Sequence, residues 1–300
     1  MLLKDFINEG VKALELLYPT AEARNIVLML CEKHLGTKSY THIIEPDYAI
    51  KDKDLLLLKE GMGRLAKGEP IQYVISEAEF CGFKFRVTPD VLIPRPETEL
   101  LCHRAVKIGS MMKRMREAYG KSARPVRVLD LCTGSGCVAW TVALMIPGCE
   151  VLGVDISEKA VKVASGQDFA ATLKAKGALA PNFVVADVFD PGFASGLGSF
   201  DLVLSNPPYI MESEKVAMRP NVLNFEPSLA LFVPDEDPLR FYRAIAGIST
   251  RCLTKEGKGI SEINETLGKE SVAVFQEAGF ASTELITDFY DKNRFVQYSR

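Results

Sequence analysis

Through the first 75 residues, apolar side chains recur every three or four positions. Leu3, Phe6, Ile7, Val11, Leu14 and Leu17 fall on one face of a helix. Pro19 breaks that run, and Thr20 stands where a cap for the next helix is expected. The second helix carries Ala23, Ile26, Val27 and Leu30 and stops at Gly36. A third is expected over residues 52–67, with Leu55, Leu56, Leu58, Met62 and Leu65. Three short amphipathic helices make a small bundle. The spacing then shortens. Phe80, Phe83, Phe85 and Val87 predict a β-hairpin with Gly82 near its turn. Ile93-Pro94-Arg95-Pro96-Glu97-Thr98-Glu99 follows, and two prolines around an arginine make a stiff extended segment. Glu97 and Glu99 suit the first turn of a helix, where carboxylates oppose the dipole.

From Val126 onward, apolar strands alternate with helical stretches. Strands are expected over residues 126–131, 151–154 (ending in Asp155), 183–186 (ending at Asp187), 200–205, 259–263, 283–287 and 295–298. Helices are expected over 138–146, 158–176, 239–253 and 267–278. Strands separated by helices of this length predict an α/β fold with a mostly parallel, doubly wound sheet. The chain thus divides into a helical domain (1–75), a hairpin and extended linker (76–98) and an α/β domain (99–300). No internal repeat or low-complexity tract interrupts it.

Composition changes this picture little. The formal net charge of the 300 residues is -3, so no basic excess suggests stable binding to nucleic acid. Lys107, Lys113, Arg114, Arg116, Lys121 and Arg124 cluster between residues 107 and 125. Glu117, Met111, Met112 and Met115 interrupt them, which favours a solvated helix end and loop. The seven cysteines are odd in number and show no C-x-x-C spacing, so they read as reduced, buried thiols. The three histidines do not cluster with other ligands, and no metal is expected. Residues 1–6 lack the pattern of a secretory leader, and no apolar stretch approaches the ~20 residues that span a bilayer. The expected location is the cytoplasm, away from membranes.

Chemistry concentrates in four places. Val128-Leu129-Asp130-Leu131-Cys132-Thr133-Gly134-Ser135-Gly136 ends a strand and opens a helix, where open α/β sheets bind ligands. Its glycines let backbone approach a ligand closely. The spacing fits neither G-x-G-x-x-G nor a P-loop, so a cofactor without phosphate suits Cys132, Thr133, Gly134, Ser135 and Gly136 better. Asp155 ends the next strand, about 20 residues beyond the glycines, where a carboxylate accepts both hydroxyls of a ribose. Asp187 ends the third and is placed to accept from an adenine amino group, with Val188 lying against the ring. A loop-capping carboxylate is the alternative role for Asp187.

Asn206-Pro207-Pro208-Tyr209 follows the apolar strand Leu202-Val203-Leu204-Ser205. An amide nitrogen is a poor nucleophile, because its lone pair is delocalised into the carbonyl. Alkylating it requires the nitrogen to be held against an electrophilic methyl with its N–H groups on acceptors. The Asn206 side-chain carbonyl and the Pro207 backbone carbonyl supply two acceptors. Pro207 and Pro208 restrict the backbone and preorganise them. The Tyr209 ring is expected to stack on the planar group. Positioning of this kind lowers a barrier by roughly 7–11 kcal/mol.

These residues resemble the release-factor glutamine methyltransferases (the PrmC/HemK family). The likeness rests on Gly68-Glu69-Pro70-Ile71-Gln72-Tyr73, residues 92–99, residues 128–136, Asp155, the Asn-Pro-Pro-Tyr motif, Phe225-Glu226-Pro227 and Asn293-Arg294-Phe295. Asn-Pro-Pro-Tyr is shared with DNA adenine methyltransferases, whereas Ile-Pro-Arg-Pro-Glu-Thr-Glu is more specific to the protein-glutamine branch. The resemblance implies a class I, Rossmann-like methyltransferase domain with seven strands, and S-adenosyl-L-methionine as cofactor. It implies methylation of the glutamine side-chain nitrogen in the Gly-Gly-Gln loop of class I peptide chain release factors, with 206–209 holding that glutamine. It also implies that the helical domain docks the release factor. Three features depart from the family: Cys132 stands in place of a glycine, Asn264 replaces the glycine of Glu-Ile-Gly, and the segment 111–124 is longer. A ribosomal-protein glutamine methyltransferase, an adenine-N6 nucleic-acid methyltransferase and a catalytically silent partner-binding fold are the competing readings. Intact Gly134, Gly136, Asp155 and Asn206 argue against the last.

Overall fold

The chain divides into two compact units, Met1–Glu77 with Met218–Phe225, and Ala78–Ala217 with Glu226–Arg300. The computed structural model describes residues 1–118 and 124–300.

The first unit is helical: α1 (Leu3–Leu14), α2 (Thr20–Leu35), α3 (Thr41–Ile44), α4 (Asp52–Leu65) and α5 (Ile71–Val74). Its core is the stripe read from the periodicity, with Leu14, Ala23, Val27, Leu30, Leu58 and Leu65 fully buried. Gly36 closes α2 in the left-handed conformation (φ 68°). Thr20 is not a cap. Pro19 takes that position, and the Thr20 hydroxyl donates to Glu15 Oε1 at 3.3 Å.

The second unit begins with a hairpin, β1 (Glu77–Phe80) and β2 (Phe83–Arg86), followed by the long helix α6 (Pro96–Ala118). The α/β region then runs through β3 (Arg127–Leu131), α7 (Cys137–Met145), β4 (Glu150–Asp155), α8 (Glu158–Ser165), α9 (Ala170–Lys176) and β5 (Asn182–Val185). It continues through β6 (Phe200–Ser205), β7 (Ile210–Met211), α10 (Pro220–Phe225, grouped with the helical unit) and β8 (Phe232–Val233). It ends with α11 (Arg240–Cys252), β9 (Leu253–Glu262), α12 (Gly268–Glu277), β10 (Ser282–Thr287) and β11 (Asn293–Ser299).

Seven strands form one sheet in the order β10-β11-β9-β6-β3-β4-β5. β11 is antiparallel to both neighbours, and the rest are parallel. Alternate side chains feed two cores. Val128, Leu202 and Leu204 pack with α6 and α7, while Leu129, Val203 and Val296 pack with α11 and α12. Every residue of β6 is buried, as expected of a parallel strand covered on both faces. The chain leaves β3 for β4 on one side, and β6 lies on the other. That reversal opens a crevice at the carboxyl ends of β3 and β6.

Two further expectations require correction. The helix expected over 158–176 is two helices, broken by Gly166 to Phe169. Gly166 ends α8, and Gln167 fixes the break. Its side chain accepts from Arg86 N and donates to Arg86 O, both at 2.9 Å, and also donates to Ser135 O at 3.1 Å. The Phe169 ring fills the space beside Trp140 and Phe85. The basic stretch is not simply solvated. Arg116 and Arg124 both grip Asp201, a carboxylate buried within β6 whose Oδ2 also accepts from Arg127 N at 3.0 Å. Lys121 lies outside the described residues.

Burial would raise the Asp201 pKa, but the hydrogen bonds from Arg116 and Arg124 outweigh it and hold the carboxyl below its usual range. The unfolded chain therefore binds the proton first as pH falls. This contribution to stability is complete above the unfolded pKa of about 3.9 and is lost as pH falls through the folded value. Asp201→Asn is expected to cost about 2 kcal/mol at pH 7, with a smaller loss at pH 3, by urea unfolding. Equal losses at both pH values would refute the role. No helix among the described residues is long and apolar enough to cross a membrane.

Candidate active site

A cavity of about 540 Å³ opens at the carboxyl ends of β3, β4 and β6. It is lined by Cys132, Thr133, Gly134, Ser135, Asp155, Asp187, Val188, Asn206 and Pro208, but not by Gly136, Pro207 or Tyr209.

The glycine loop turns tightly because alternate residues take left-handed φ: 61° at Cys132, 55° at Gly134 and 78° at Gly136. A Cβ on Gly134 would meet nothing within 4 Å, whereas one on Gly136 would press on Ala164, Phe183 and Trp140. Gly134 therefore borders open space, and Gly136 lets α7 approach its neighbours. Asp130 anchors the loop from below, accepting from Thr133 Oγ1 at 2.6 Å. Burial pushes its pKa up to about 7. Asp155 accepts from Gly134 N at 2.8 Å and from Ser157 N at 3.0 Å, one bond on each oxygen. Burial raises its pKa, and these backbone donors oppose the rise. Asp187 Oδ1 accepts from Phe189 N at 2.8 Å, so one of its oxygens does cap the loop.

Asn206 directly follows β6. Its Nδ2 donates to Thr98 Oγ1 at 3.0 Å, and Thr98 donates to Glu262 Oε2 at 2.7 Å. Tyr209 OH donates to the other oxygen, Oε1, at 3.1 Å. Thr98 is near the start of α6 and Glu262 ends β9, so three separate elements meet behind Asn206. The proline-flanked Arg95 is held by Glu226, which accepts from Arg95 Nη2 at 2.7 Å and from Ile93 N at 3.2 Å. Pro227, Leu229, Phe232 and Phe241 complete an apolar wall.

The family model for a methyltransferase domain matches residues 123–297. A release factor glutamine methyltransferase of Bacteroides thetaiotaomicron is 37% identical over 291 residues, which is 96% of this chain and 97% of that protein. The chain belongs to the release factor glutamine methyltransferase family. A relative with the same name in Flavobacterium psychrophilum is 33% identical over 99% of both chains. Among solved structures, the hMettl16 catalytic domain in complex with a 3'UTR hairpin has a TM-score of 0.51 at 14% identity. The match covers 83% of this chain and 82% of that one, and it shows the fold alone.

Both single-residue departures from the family pattern have a structural account. Cys132 adopts the φ that glycine takes without strain, lines the cavity and packs on the core beneath α11. Burial pushes its thiol pKa well above the ordinary value, so the wall it makes is uncharged. Asn264 has φ -63° and needs no glycine. Its Nδ2 donates to Tyr209 O and Glu214 Oε2, and its Oδ1 accepts from Thr266 N. It thereby ties the last residue of the Asn-Pro-Pro-Tyr motif to the end of β9.

Motif reading missed Thr98, Gln167 and Glu262 as members of the site. Thr98 and Glu262 lie within or beside recognisable motifs, but their contact spans 164 residues of chain. For Gln167 the signal is only the neighbouring Gly166, which weakens the helix there.

Proposed function

We propose that this enzyme transfers a methyl group from S-adenosylmethionine to the side-chain amide nitrogen of the glutamine in the Gly-Gly-Gln loop of class I peptide chain release factors, in the cytoplasm. The names of relatives alignable over nearly the whole chain support the substrate. The observation that carries the chemistry is the Asn206 amide, tied back through Nδ2 at the rim of a cavity lined by the glycine loop.

The residues present fit a nucleoside without phosphate. Backbone N–H groups of Gly134, Ser157 and Ile156 hold the Asp155 carboxylate, whose four lone pairs leave one for a ribose hydroxyl. Val188, Ile156 and Pro208 offer apolar surface for a base, and Asp187 has a second oxygen for an exocyclic amine. When bound, S-adenosylmethionine supplies an electrophilic methyl on a cationic sulfur. Asp155 and Asp187 put carboxylates in the lining, which also holds Arg95, Lys159 and Arg240. The chain's part is to hold a planar NH2 group. Asn206 Oδ1 and the Pro207 carbonyl accept its hydrogens and aim its nitrogen at the methyl. Tyr209 and Pro207 do not line the cavity, so their contacts with the glutamine are assigned from the motif, and Gly136 is assigned to shape the loop that holds the cofactor. The helical domain of residues 1–75 is assigned to docking, with 76–98 as linker and 99–300 as the transfer domain. Exposed Ile43, Ile44, Leu56 and Leu57 support the docking role.

The test is incubation with methyl-tritiated cofactor and purified release factor, ribosomal protein or DNA, followed by mapping of the label. Label on the Gly-Gly-Gln glutamine is expected. Label confined to ribosomal protein or adenine would overturn the assignment. Asp155→Ala is expected to weaken cofactor binding roughly 10–100-fold, the value of a charge-assisted hydrogen bond. An unchanged dissociation constant in calorimetry would remove Asp155 from the ribose site.

A further inference from the structure

An asparagine amide has the same shape whichever way it faces, but its two ends do opposite chemistry: Oδ1 accepts and Nδ2 donates. A site built to hold an NH2 group must present the oxygen. Something has to set the direction of Asn206, and the tetrapeptide alone does not.

The direction is set from behind. Glu262 is 1% exposed at the end of β9. As a carboxylate it can only accept, and it accepts from Thr98 Oγ1 at 2.7 Å and Tyr209 OH at 3.1 Å. Thr98, itself 2% exposed, has one hydroxyl hydrogen, and Glu262 takes it. Toward Asn206 the hydroxyl can then only accept. The amide must turn its NH2 to Thr98, at 3.0 Å, and its carbonyl the other way. We propose that Glu262 is a positioning residue that, through Thr98, holds the Asn206 amide with its carbonyl oxygen toward the substrate nitrogen. This rests on the methyl-transfer reading above.

The groups around Glu262 fit that role. Tyr209 faces it from the loop after β6, Arg294 from β11, Glu97 from α6 and Tyr242 from α11. Burial pushes its pKa up to about 7, against the hydrogen bonds from Thr98 and Tyr209 and the charge of Arg294. Below that pH the carboxyl gains a proton. It can then donate to Thr98, whose own hydrogen is freed to face Asn206, and the amide can invert. The kcat of the wild-type enzyme should therefore fall as pH drops below about 7.

The experiment measures methyl transfer to release factor by the full-length protein and by Thr98→Ser, Thr98→Val and Glu262→Gln. All assays run below each variant's thermal midpoint, with cofactor affinity measured separately. Thr98→Ser retains the hydroxyl and should stay near the wild-type rate. Thr98→Val has the same shape without the relay and should lose about 30–100-fold in kcat with cofactor binding unchanged. Glu262→Gln can accept or donate toward Thr98, so it should lose part of the activity, and it should lose the fall in kcat at low pH, since no proton is left to gain. Wild-type kcat in Thr98→Val would overturn the proposal, as would equal losses in Thr98→Ser and Thr98→Val. Persistence of the same acidic limb in Glu262→Gln would also overturn it. The Asn206→Ala variant separates the two levels. If it is inactive while Thr98→Val is fully active, only the positioning role fails. If it is fully active, the methyl-transfer reading fails with it.

Discussion

Asn206→Ala is expected to lower kcat for glutamine methylation by about 10³-fold, comparable to losing a key preorganised hydrogen-bonding group together with orientation. The substrate nitrogen has little nucleophilicity, and removing Oδ1 deletes one of two acceptors that aim it. The loss also reaches the network behind. Thr98 Oγ1 loses the donor it holds at 3.0 Å, while Glu262 keeps Tyr209 as a partner. The fold should therefore survive. Cofactor affinity should change little, because the glycine loop, Asp155 and Asp187 are untouched. Single-turnover transfer and calorimetry with the demethylated cofactor product check the two halves. Wild-type kcat would refute the role of Asn206, and a collapse of cofactor affinity equal to the loss in rate would reassign it to cofactor binding.

Gly259→Ala should be the most damaging small substitution for stability, at roughly 3 kcal/mol or more, the upper range for overpacking. Gly259 pairs directly with Tyr298 across β9 and β11. An added Cβ would fall within the Tyr298 ring, with Cζ as its nearest atom. The ring cannot step aside. It is stacked on Phe275 at 4.1 Å between centroids, and its hydroxyl lies 2.9 Å from Ser249 Oγ. Chemical denaturation of the alanine variant measures the cost. Gly259→Ala with Tyr298→Leu should recover part of it, because the smaller side chain vacates the space. A single variant as stable as wild type would contradict the packing described.

The two substitutions differ in how visible their sites are before folding. Asn206 announces itself, since the tetrapeptide is short, stiff and directly behind an apolar strand. Gly134, Asp155, Asp187 and Val188 are legible for a similar reason. Each ends a strand or lies within three residues of one, and in a parallel α/β sheet the carboxyl ends of neighbouring strands point to one edge. The relay behind Asn206 is not legible that way. Thr98 is 108 residues from Asn206 and 164 from Glu262, and no local periodicity links them. Arg116 and Arg124 looked like solvated charges because their partner, Asp201, sits 85 and 77 residues away inside a strand that reads as apolar. Gly166 weakens the helix locally, but the bonds from Gln167 that fix the break reach Arg86 and Ser135, 81 and 32 residues away.

Chain chemistry alone dictates a helical start, an alternating α/β remainder, a glycine-cornered turn after the first parallel strand and a rigid amide-bearing loop after the fourth. These are consequences of side-chain period and backbone restriction, which act within a few residues. Folding in three dimensions chose the rest: that β6 lies beside β3, that Gly259 lies under a tyrosine ring, and that a carboxylate from β9 meets a hydroxyl from α6 behind Asn206. Those choices follow from strand order and register, which are settled by the packing of whole layers and leave no trace in any short stretch of residues.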